Sequence, residues 1–172
     1  FGVGGRADYF CVVTNKRELV EATRAAQQRD LRTFFYSGGS NIFFDDAGFR
    51  GMVIRFVDGG YSIDTARPSV TASAGLDLPT LVREVGQAGY GGLEFLGNIP
   101  GSVGGAVVGN AGCYGRELAS LLLSAEVVIA DTLESRIVGP EYFEFSYRHS
   151  RLKYDPNQVV ISAEPVSYTH LT

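Results

Sequence analysis

Half of the glycines in this chain lie in one short stretch, and this distribution limits what the chain can fold into. Of 22 glycines in 172 residues, 11 lie between Gly86 and Gly115, and only Gly139 follows them. The glycines have no three-residue period, which excludes a collagen-like chain, and a hydrophobic content of 45% argues against disorder. The sequence therefore predicts a folded protein whose glycines shape the backbone in one functional region.

Length and charge exclude several classes of protein. The 172 residues fit one domain or two small subdomains. A net charge of −4 with no basic stripe argues against a nucleic-acid partner, and no apolar run reaches the roughly 18 residues of a membrane span. Cys11 and Cys113 are far apart and outside any CxxC motif, so we expect no disulfide framework, no metal site and a reducing cytoplasm.

The first part of the chain has a β-α-β-β pattern. Asn15 followed by Glu18 has the spacing of a capping box at a helix start. The expected elements are a strand at Ala7–Val13, a helix at 16–29, and strands at Thr33–Tyr36 and 52–56. Asp58-Gly59-Gly60 then breaks the pattern. We expect a first subdomain at 1–57 and a second at 58–164.

The second part alternates strands with short helices. Asp77 and Pro79 are typical of a helix start, and this helix is expected to end near Gly89. The other expected elements are strands at 69–74, 125–130, Ser135–Val138 and 159–163, and a short helix at Pro140–Phe143. Residues 97–115 match neither a helix nor a strand pattern.

A first candidate site follows the strand at Thr33–Tyr36. Gly38-Gly39-Ser40-Asn41 contains two glycines that permit positive φ and close approach of a ligand to the main chain. Successive N–H groups can form an anion-binding nest, to which Ser40 and Asn41 add side-chain donors. The sequence is neither a Walker loop nor a GxGxxG fingerprint. A phosphate-binding loop and a plain polar turn explain it equally well.

A second candidate site is the glycine-dense segment 97–115. It is too apolar for a solvent loop and too rich in glycine for a core element. Backbone wrapped closely around a flat or phosphorylated ligand explains these features best. Tight packing between two subdomains is the alternative.

A third candidate is the basic and aromatic segment around Arg148. The planar guanidinium of Arg148 could hold a carboxylate or stabilise a developing enolate. A solvated basic patch is the alternative. We interpret His149 as a surface or hydrogen-bonding residue and Cys113 as a small apolar residue in a tight loop.

Taken in order, these segments resemble the UDP-N-acetylenolpyruvoylglucosamine reductases of bacterial peptidoglycan synthesis. Five motifs in family order, spread from residue 1 to residue 151, carry the resemblance. They are Phe1-Gly2-Val3-Gly4-Gly5, Ser37-Gly38-Gly39-Ser40-Asn41, Gly92-Leu93-Glu94-Phe95-Leu96 with Ile99-Pro100-Gly101-Ser102-Val103-Gly104-Gly105, Asn110-Ala111-Gly112-Cys113-Tyr114-Gly115, and Tyr147-Arg148-His149-Ser150-Arg151.

The resemblance implies an α+β fold of the vanillyl-alcohol-oxidase type, in which two subdomains enclose non-covalent FAD. It implies that NADPH reduces the flavin, which then reduces UDP-N-acetylglucosamine-enolpyruvate in the cytoplasm for cell-wall synthesis, cell shape and cell division. Arg148 matches the catalytic arginine, and Tyr147 and Arg148 would contact substrate. The implied FAD-binding residues are Ser37, Gly38, Gly39, Ser40, Asn41, Ile99, Pro100, Gly101, Ser102, Gly104, Gly105, Asn110, Gly112, Tyr114 and Gly115.

The chain departs from the family pattern in several places. Arg6, Gly109 and His149 stand where many members have Pro, Gln and Asp. The proton-donor Ser or Cys and the C-terminal Glu of the family are missing, and residues 165–172 do not resemble its continuation. We therefore expect the FAD-binding portion of the reductase without its substrate domain, unable to complete turnover alone.

Two other functions remain open. Another FAD oxidoreductase of the same fold is one, although covalent flavin attachment is disfavoured because His149 and His170 are the only histidines. A non-catalytic flavin-binding module is the other. The oligomeric state is not predicted.

Overall fold

The computed structural model describes residues 4–169 and contains two main sheets. The predicted motif at 1–5 lies partly outside this range, as does the end of the predicted tail at 165–172. No helix within residues 4–169 is long and apolar enough to cross a bilayer.

The first part of the chain forms β1 (Ala7–Val13), α1 (Lys16–Gln27), β2 (Thr33–Tyr36) and β3 (Phe49–Phe56), so the predicted β-α-β-β order is confirmed. Its three strands form a parallel sheet in the order β1-β3-β2. Asn15 caps α1 by accepting a 3.0 Å hydrogen bond from the N–H of Glu18. The Glu18 carboxylate accepts from the N–H of Thr14 at 2.8 Å, one residue earlier than in a standard capping box.

The second sheet contains β4 (Tyr61–Asp64), β5 (Ser69–Ser73), β9 (Leu122–Ile129), β10 (Ser135–Val138) and β11 (Gln158–Pro165). These five strands are antiparallel and lie in the order β10-β9-β11-β5-β4. The predicted pairing of the segment Ser135–Val138 with the preceding strand is confirmed. The sequence pattern missed β4, a short edge strand.

Short elements connect β5 to β9, and their strands belong to two separate two-stranded sheets. They are α2 (Leu78–Gln87), β6 (Tyr90–Gly91), α3 (Val103–Val108), β7 (Gly112–Cys113) and β8 (Arg116–Glu117), with β12 (Tyr168–Thr169) pairing with β6. Single 3-10 turns lie at Glu94–Leu96, Leu118–Ser120, Pro140–Phe143 and Arg151–Tyr154.

The expectation that residues 97–115 lack regular structure is wrong. They contain α3 and the β7 end of a hairpin. Ser102 caps α3 by accepting from the N–H of Gly105 at 3.2 Å, and Gly104 packs directly on Ala74. These tertiary contacts override the poor intrinsic helix propensity of glycine.

One hydrophobic core connects the two sheets. The part of the chain that contains β1 to β3 is called the first unit, and the part from β4 onward is called the second unit. Leu19 and Ile54 of the first unit are fully buried in the same cluster as Val70, Val127 and Phe143 of the second unit. Burial of such side chains contributes about 1.5–3 kcal/mol each, so this shared core stabilises the packing of the two units.

Polar contacts from α1 fix the two units further. Lys16 at the start of α1 forms an ion pair with Glu126 on β9. At the other end, the amide of Gln27 donates to the carbonyl oxygens of Ala130 at 2.7 Å and Asp131 at 3.0 Å. The two ends of α1 are therefore bonded to β9 and to the turn that follows it.

The described part of the tail also packs on the fold. The N–H of Val166 donates to Leu121 O, and that of buried Ser167 donates to Pro68 O, both at 2.8 Å. Residues 170–172 lie outside the described range.

Candidate functional site

A cleft of about 960 Å³ opens between the two units. This volume lies near the upper end of the range of about 300–1,000 Å³ that is common for cofactor and ligand sites. Predicted site residues on its walls are Ser37, Gly38, Gly39, Ser40, Asn41, Ile99, Pro100, Gly101, Ser102, Gly104, Gly105 and Arg148.

The loop after β2 forms one wall. Gly39 has a φ of 70°, which a residue with a Cβ atom rarely adopts. Within the described part of the chain, the N–H groups of residues 38–41 donate to no protein acceptor. This wall therefore offers a run of free main-chain donors, as an anion-binding nest requires.

The loop meets the second glycine segment directly. The Ser40 hydroxyl donates to Pro100 O at 3.0 Å, and a Cβ on Gly38 would lie 3.4 Å from the Cα of Gly101. Gly101 has a φ of 135°, and the Ser37 hydroxyl donates to Gly75 O at 3.3 Å. The fold thus brings together two glycine segments that are some sixty residues apart in the sequence.

Two neighbouring glycines of α3 serve different purposes. A Cβ on Gly104 would lie 2.7 Å from the Cβ of Ala74, and the Gly104 N–H donates to Ala74 O at 2.9 Å. A Cβ on Gly105 would meet only the Ser102 hydroxyl, at 3.4 Å. Packing against Ala74 requires a glycine at position 104. At position 105, the absence of a side chain instead leaves more space in the cleft.

Four other predicted FAD-binding residues do not line this cleft. They are Asn110, Gly112, Tyr114 and Gly115. Gly112 is required by packing, because a Cβ there would lie 2.3 Å from Arg116 O. Tyr114 and Gly115, with φ values of 54° and 77°, form the two-residue turn of the β7–β8 hairpin.

Asn110 has an internal role. Its side chain is fully buried, and its Nδ2 donates to Glu117 Oε2 and to Ser146 O, both at 2.9 Å. Its Oδ1 accepts from the N–H of Ala119 at 3.0 Å. Both N–H groups of its amide are therefore used within the protein.

Arg148 lies on the cleft wall in a tight turn. Ser146 and His149 exchange two main-chain hydrogen bonds of 3.0 Å, and Arg148 between them has a φ of 54°. Among the described residues its guanidinium forms no ion pair. Tyr147 is 81% exposed and lies outside the cleft lining, with its ring centroid 6.0 Å from the Arg148 guanidinium carbon.

Sequence reasoning missed the segment just after Arg148. Lys153, Tyr154 and Asp155 also line the cleft, and the Lys153 ammonium donates to Arg148 O at 2.8 Å. The Asp155 carboxylate is occupied by the Asn157 N–H and the Gln158 amide. Extending the Arg148 motif by a few residues would have included these side chains.

The chemistry of the cleft suits a ligand that combines an anionic group with a flat apolar ring. Free main-chain N–H groups, Arg148 and Lys153 provide positive potential. Phe34, Tyr36 and Ile99 add aromatic and aliphatic surface. No cluster of potential metal ligands exists among the described residues. The residues present fit a dinucleotide flavin cofactor.

Comparison with known proteins supports this assignment. The family model described as "FAD binding domain" matches residues 7–133. UDP-N-acetylenolpyruvoylglucosamine reductase from Solibacter usitatus is 39% identical over 166 residues, which cover 96% of this chain and 52% of that protein. The chain spans about half the length of the curated relatives it matches.

Solved structures show the same relationship. The crystal structure of UDP-N-acetylenolpyruvylglucosamine reductase from Thermus caldophilus has a TM-score of 0.76 and 30% identity, covering 94% of this chain and 56% of that chain. Glucooligosaccharide oxidase from Acremonium strictum, whose FAD is described as 6-S-cysteinyl and 8α-N1-histidyl, has a TM-score of 0.67 and 15% identity, covering 95% of this chain and 36% of that one. This second likeness concerns the fold alone.

These matches confirm the predicted resemblance and the predicted fold class. The family match covers well over half of the chain, and the two-sheet α+β architecture is that of the vanillyl-alcohol-oxidase type. This chain therefore belongs to the FAD binding domain family, and UDP-N-acetylenolpyruvoylglucosamine reductases are among its relatives.

Proposed function

We propose that this chain is the FAD-binding part of an NADPH-dependent reductase that converts UDP-N-acetylglucosamine-enolpyruvate to UDP-N-acetylmuramate. The observation that carries the proposal is the convergence of residues 38–41, residues 99–105 and Arg148 on one cleft. The names of the relatives point to the same substrate class.

The glycine loop would hold the pyrophosphate of FAD. Its free N–H groups and the positive φ of Gly39 support this role, since an anion can approach the main chain without a Cβ in the way. Residues 99–105 would flank the rest of the cofactor. When bound, the flavin would supply hydride transfer from NADPH to the enolpyruvyl group.

Arg148 would be the catalytic residue toward the substrate. Its guanidinium is free of carboxylate partners among the described residues, so its charge is available to a developing enolate. Preorganised charge of this kind avoids reorganisation during the reaction. Tyr147, which is highly exposed beside it, would contact the substrate.

Non-covalent binding of FAD is part of the proposal. The cleft lining contains no Cys or His side chain among the described residues. The glucooligosaccharide oxidase of the same fold, by contrast, is described with cysteinyl and histidyl links to its FAD. A non-covalent cofactor should leave the protein on denaturation.

The proposed FAD-binding part consists of two subdomains. We assign residues 1–57 and 58–164 to two subdomains, because the change of sheet lies between Phe56 and Tyr61. We assign residues 165–172 to a segment outside the family pattern. Both cysteines are unpaired, as is usual in the reducing cytoplasm, where peptidoglycan precursors for the cell wall would be made.

Turnover with defined substrates tests the proposal. The chain would be loaded with FAD and mixed with NADPH and UDP-N-acetylglucosamine-enolpyruvate, and product would be measured by mass spectrometry. We expect FAD to bind and turnover to stay far below that of the Solibacter relative. Turnover as fast as that of the Solibacter relative would contradict the expectation that this chain cannot complete the reaction alone. Failure to bind FAD would contradict the whole proposal.

A further inference from the structure

Asn110 connects three segments of the second unit. Its buried side chain bonds to Glu117 in β8, to the main chain of Ala119, and to the carbonyl oxygen of Ser146. Its own backbone has a φ of 43°, a conformation that Asn and Asp tolerate better than other residues with a Cβ. Both the backbone conformation and the side-chain hydrogen bonds at this position therefore favour asparagine.

The bond to Ser146 ends at the turn that carries Arg148. Ser146 O accepts from the Asn110 amide and also from the N–H of His149. Arg148 is left-handed in this turn, with a φ of 54°. A residue with a Cβ keeps such a conformation only when surrounding contacts impose it.

The C-terminal side of the Arg148 turn is hydrogen-bonded to the end of α3, close to Asn110. The fully buried Ser150 hydroxyl donates to Val108 O at 2.6 Å. Val108 ends α3 and Asn110 follows it by two residues. The C-terminal end of α3 thus holds both sides of the Arg148 turn, while Gly104 and Gly105 of the same helix line the cleft.

We propose that Asn110 is a positioning residue that holds Arg148 in the cleft through Ser146. This inference rests on the proposed function, because it gives Arg148 its role toward the bound flavin and substrate. It differs from a direct flavin contact, since the Asn110 amide has no free N–H and the residue does not line the cleft.

Three variants separate the Ser146 bond from the Glu117 bond. N110D keeps the shape, the φ preference and the acceptor for Ala119, but it removes both N–H donors. N110D/E117Q restores a hydrogen bond between positions 110 and 117 and returns the net charge to its original value. E117Q alone keeps an acceptor for Asn110 and leaves the Ser146 bond intact.

Hydrogen exchange of the cofactor-free protein provides the first measurement. We expect the His149 amide to exchange about tenfold faster in N110D and in N110D/E117Q, and at the wild-type rate in E117Q. Unchanged exchange in N110D/E117Q would overturn the proposal, whether or not the protein binds FAD.

The midpoint potential of bound FAD provides the second measurement. A cation held in the cleft stabilises reduced, anionic flavin and raises the potential. We expect R148M to lower the potential, N110D/E117Q to lower it by at least half as much, and E117Q to leave it unchanged. A normal potential in N110D/E117Q beside a lowered one in R148M would overturn the positioning role. No change in R148M, or no FAD uptake by the wild type, would instead contradict the proposed function on which the role depends.

Discussion

The Ser40 hydroxyl donates a 3.0 Å hydrogen bond to the carbonyl oxygen of Pro100. This bond joins the glycine loop after β2 to the segment that begins α3, where Gly38 and Gly101 are also in close apposition. The two glycine segments are therefore in direct contact in the absence of a ligand, and substitutions in either segment should change cofactor binding.

Gly39→Val should weaken FAD binding by at least about tenfold. Its φ of 70° strains a β-branched residue by about 1–3 kcal/mol, and a Cβ there would lie 3.3 Å from the Tyr36 ring. Fluorescence titration with FAD would measure the affinity. Gly86→Ala is the matched control, because a Cβ at Gly86 in α2 meets nothing within 4 Å. Wild-type affinity in Gly39→Val would refute the role of the loop.

Gly104→Ala should destabilise the fold, whereas Gly105→Ala should not. The new methyl at 104 would overlap Ala74 at 2.7 Å, and overpacking costs about 1–3 kcal/mol. At 105 the nearest atom is 3.4 Å away, and alanine is favoured over glycine in a helix by about 1 kcal/mol. Denaturant unfolding of both variants would measure the difference. Equal stability would show that α3 can move away from β5.

Under the proposed function, Arg148→Ala in the full-length reductase should lower turnover far more than it lowers FAD content. The side chain touches the cleft but does not support the fold through an ion pair among the described residues. Steady-state rates and the flavin-to-protein ratio would be measured together. Arg136→Ala is the control. It removes an exposed ion pair between Arg136 on β10 and Glu134, and it should change neither the turnover rate nor the FAD content. Parallel loss of both quantities would indicate a structural role for Arg148.

The ion pair between Lys16 and Glu126 should make a small, pH-dependent contribution to stability. Burial raises the pKa of Glu126, but hydrogen bonds from Lys16 and Ser135 outweigh it and hold the pKa below its usual value. Because the folded pKa is depressed, the stabilisation is present above the unfolded pKa of about 4.3 and is lost as pH falls through the folded value.

Glu126→Gln should therefore lower the free energy of unfolding at pH 7 by less than about 1 kcal/mol, since Lys16 is 44% exposed. The difference from the wild type should shrink as the pH falls through the depressed pKa of Glu126. Denaturant unfolding at several pH values would measure it. A difference that grows in acid would mean that the sign of the linkage is wrong.

Local patterns predicted most of the fold. The alternation in β1, the Asn15 cap of α1 and the Pro140 start of a short helix depend on near neighbours, so the sequence alone identifies them. The edge strand β4 was missed because only four residues separate its glycine break from the next turn. Helix α3 was missed because it depends on tertiary contacts, such as the Gly104 hydrogen bond to Ala74 and the Val103 hydrogen bond to Leu76, which no local pattern records.

The candidate site was predictable only in part. The two glycine segments are identifiable by composition, and the structure brings residues 38–41 and 99–105 to one cleft. Whether a motif residue faces a ligand or the protein interior depends on tertiary partners. Asn110 illustrates this limit, because Glu117 and Ser146 occupy its amide. Lys153 differs from Asn110, because it lies only five residues after Arg148 and a longer motif would have included it.

Equilibrium titration of the cofactor-free chain with FAD is the decisive measurement, because every role assigned to the cleft depends on flavin binding. We expect saturable binding of one FAD per chain, visible as quenched flavin fluorescence, with release of unmodified FAD on denaturation. We also expect much weaker binding by Gly39→Val than by Gly86→Ala. A folded wild-type chain that takes up no FAD would contradict the assignment of the cleft.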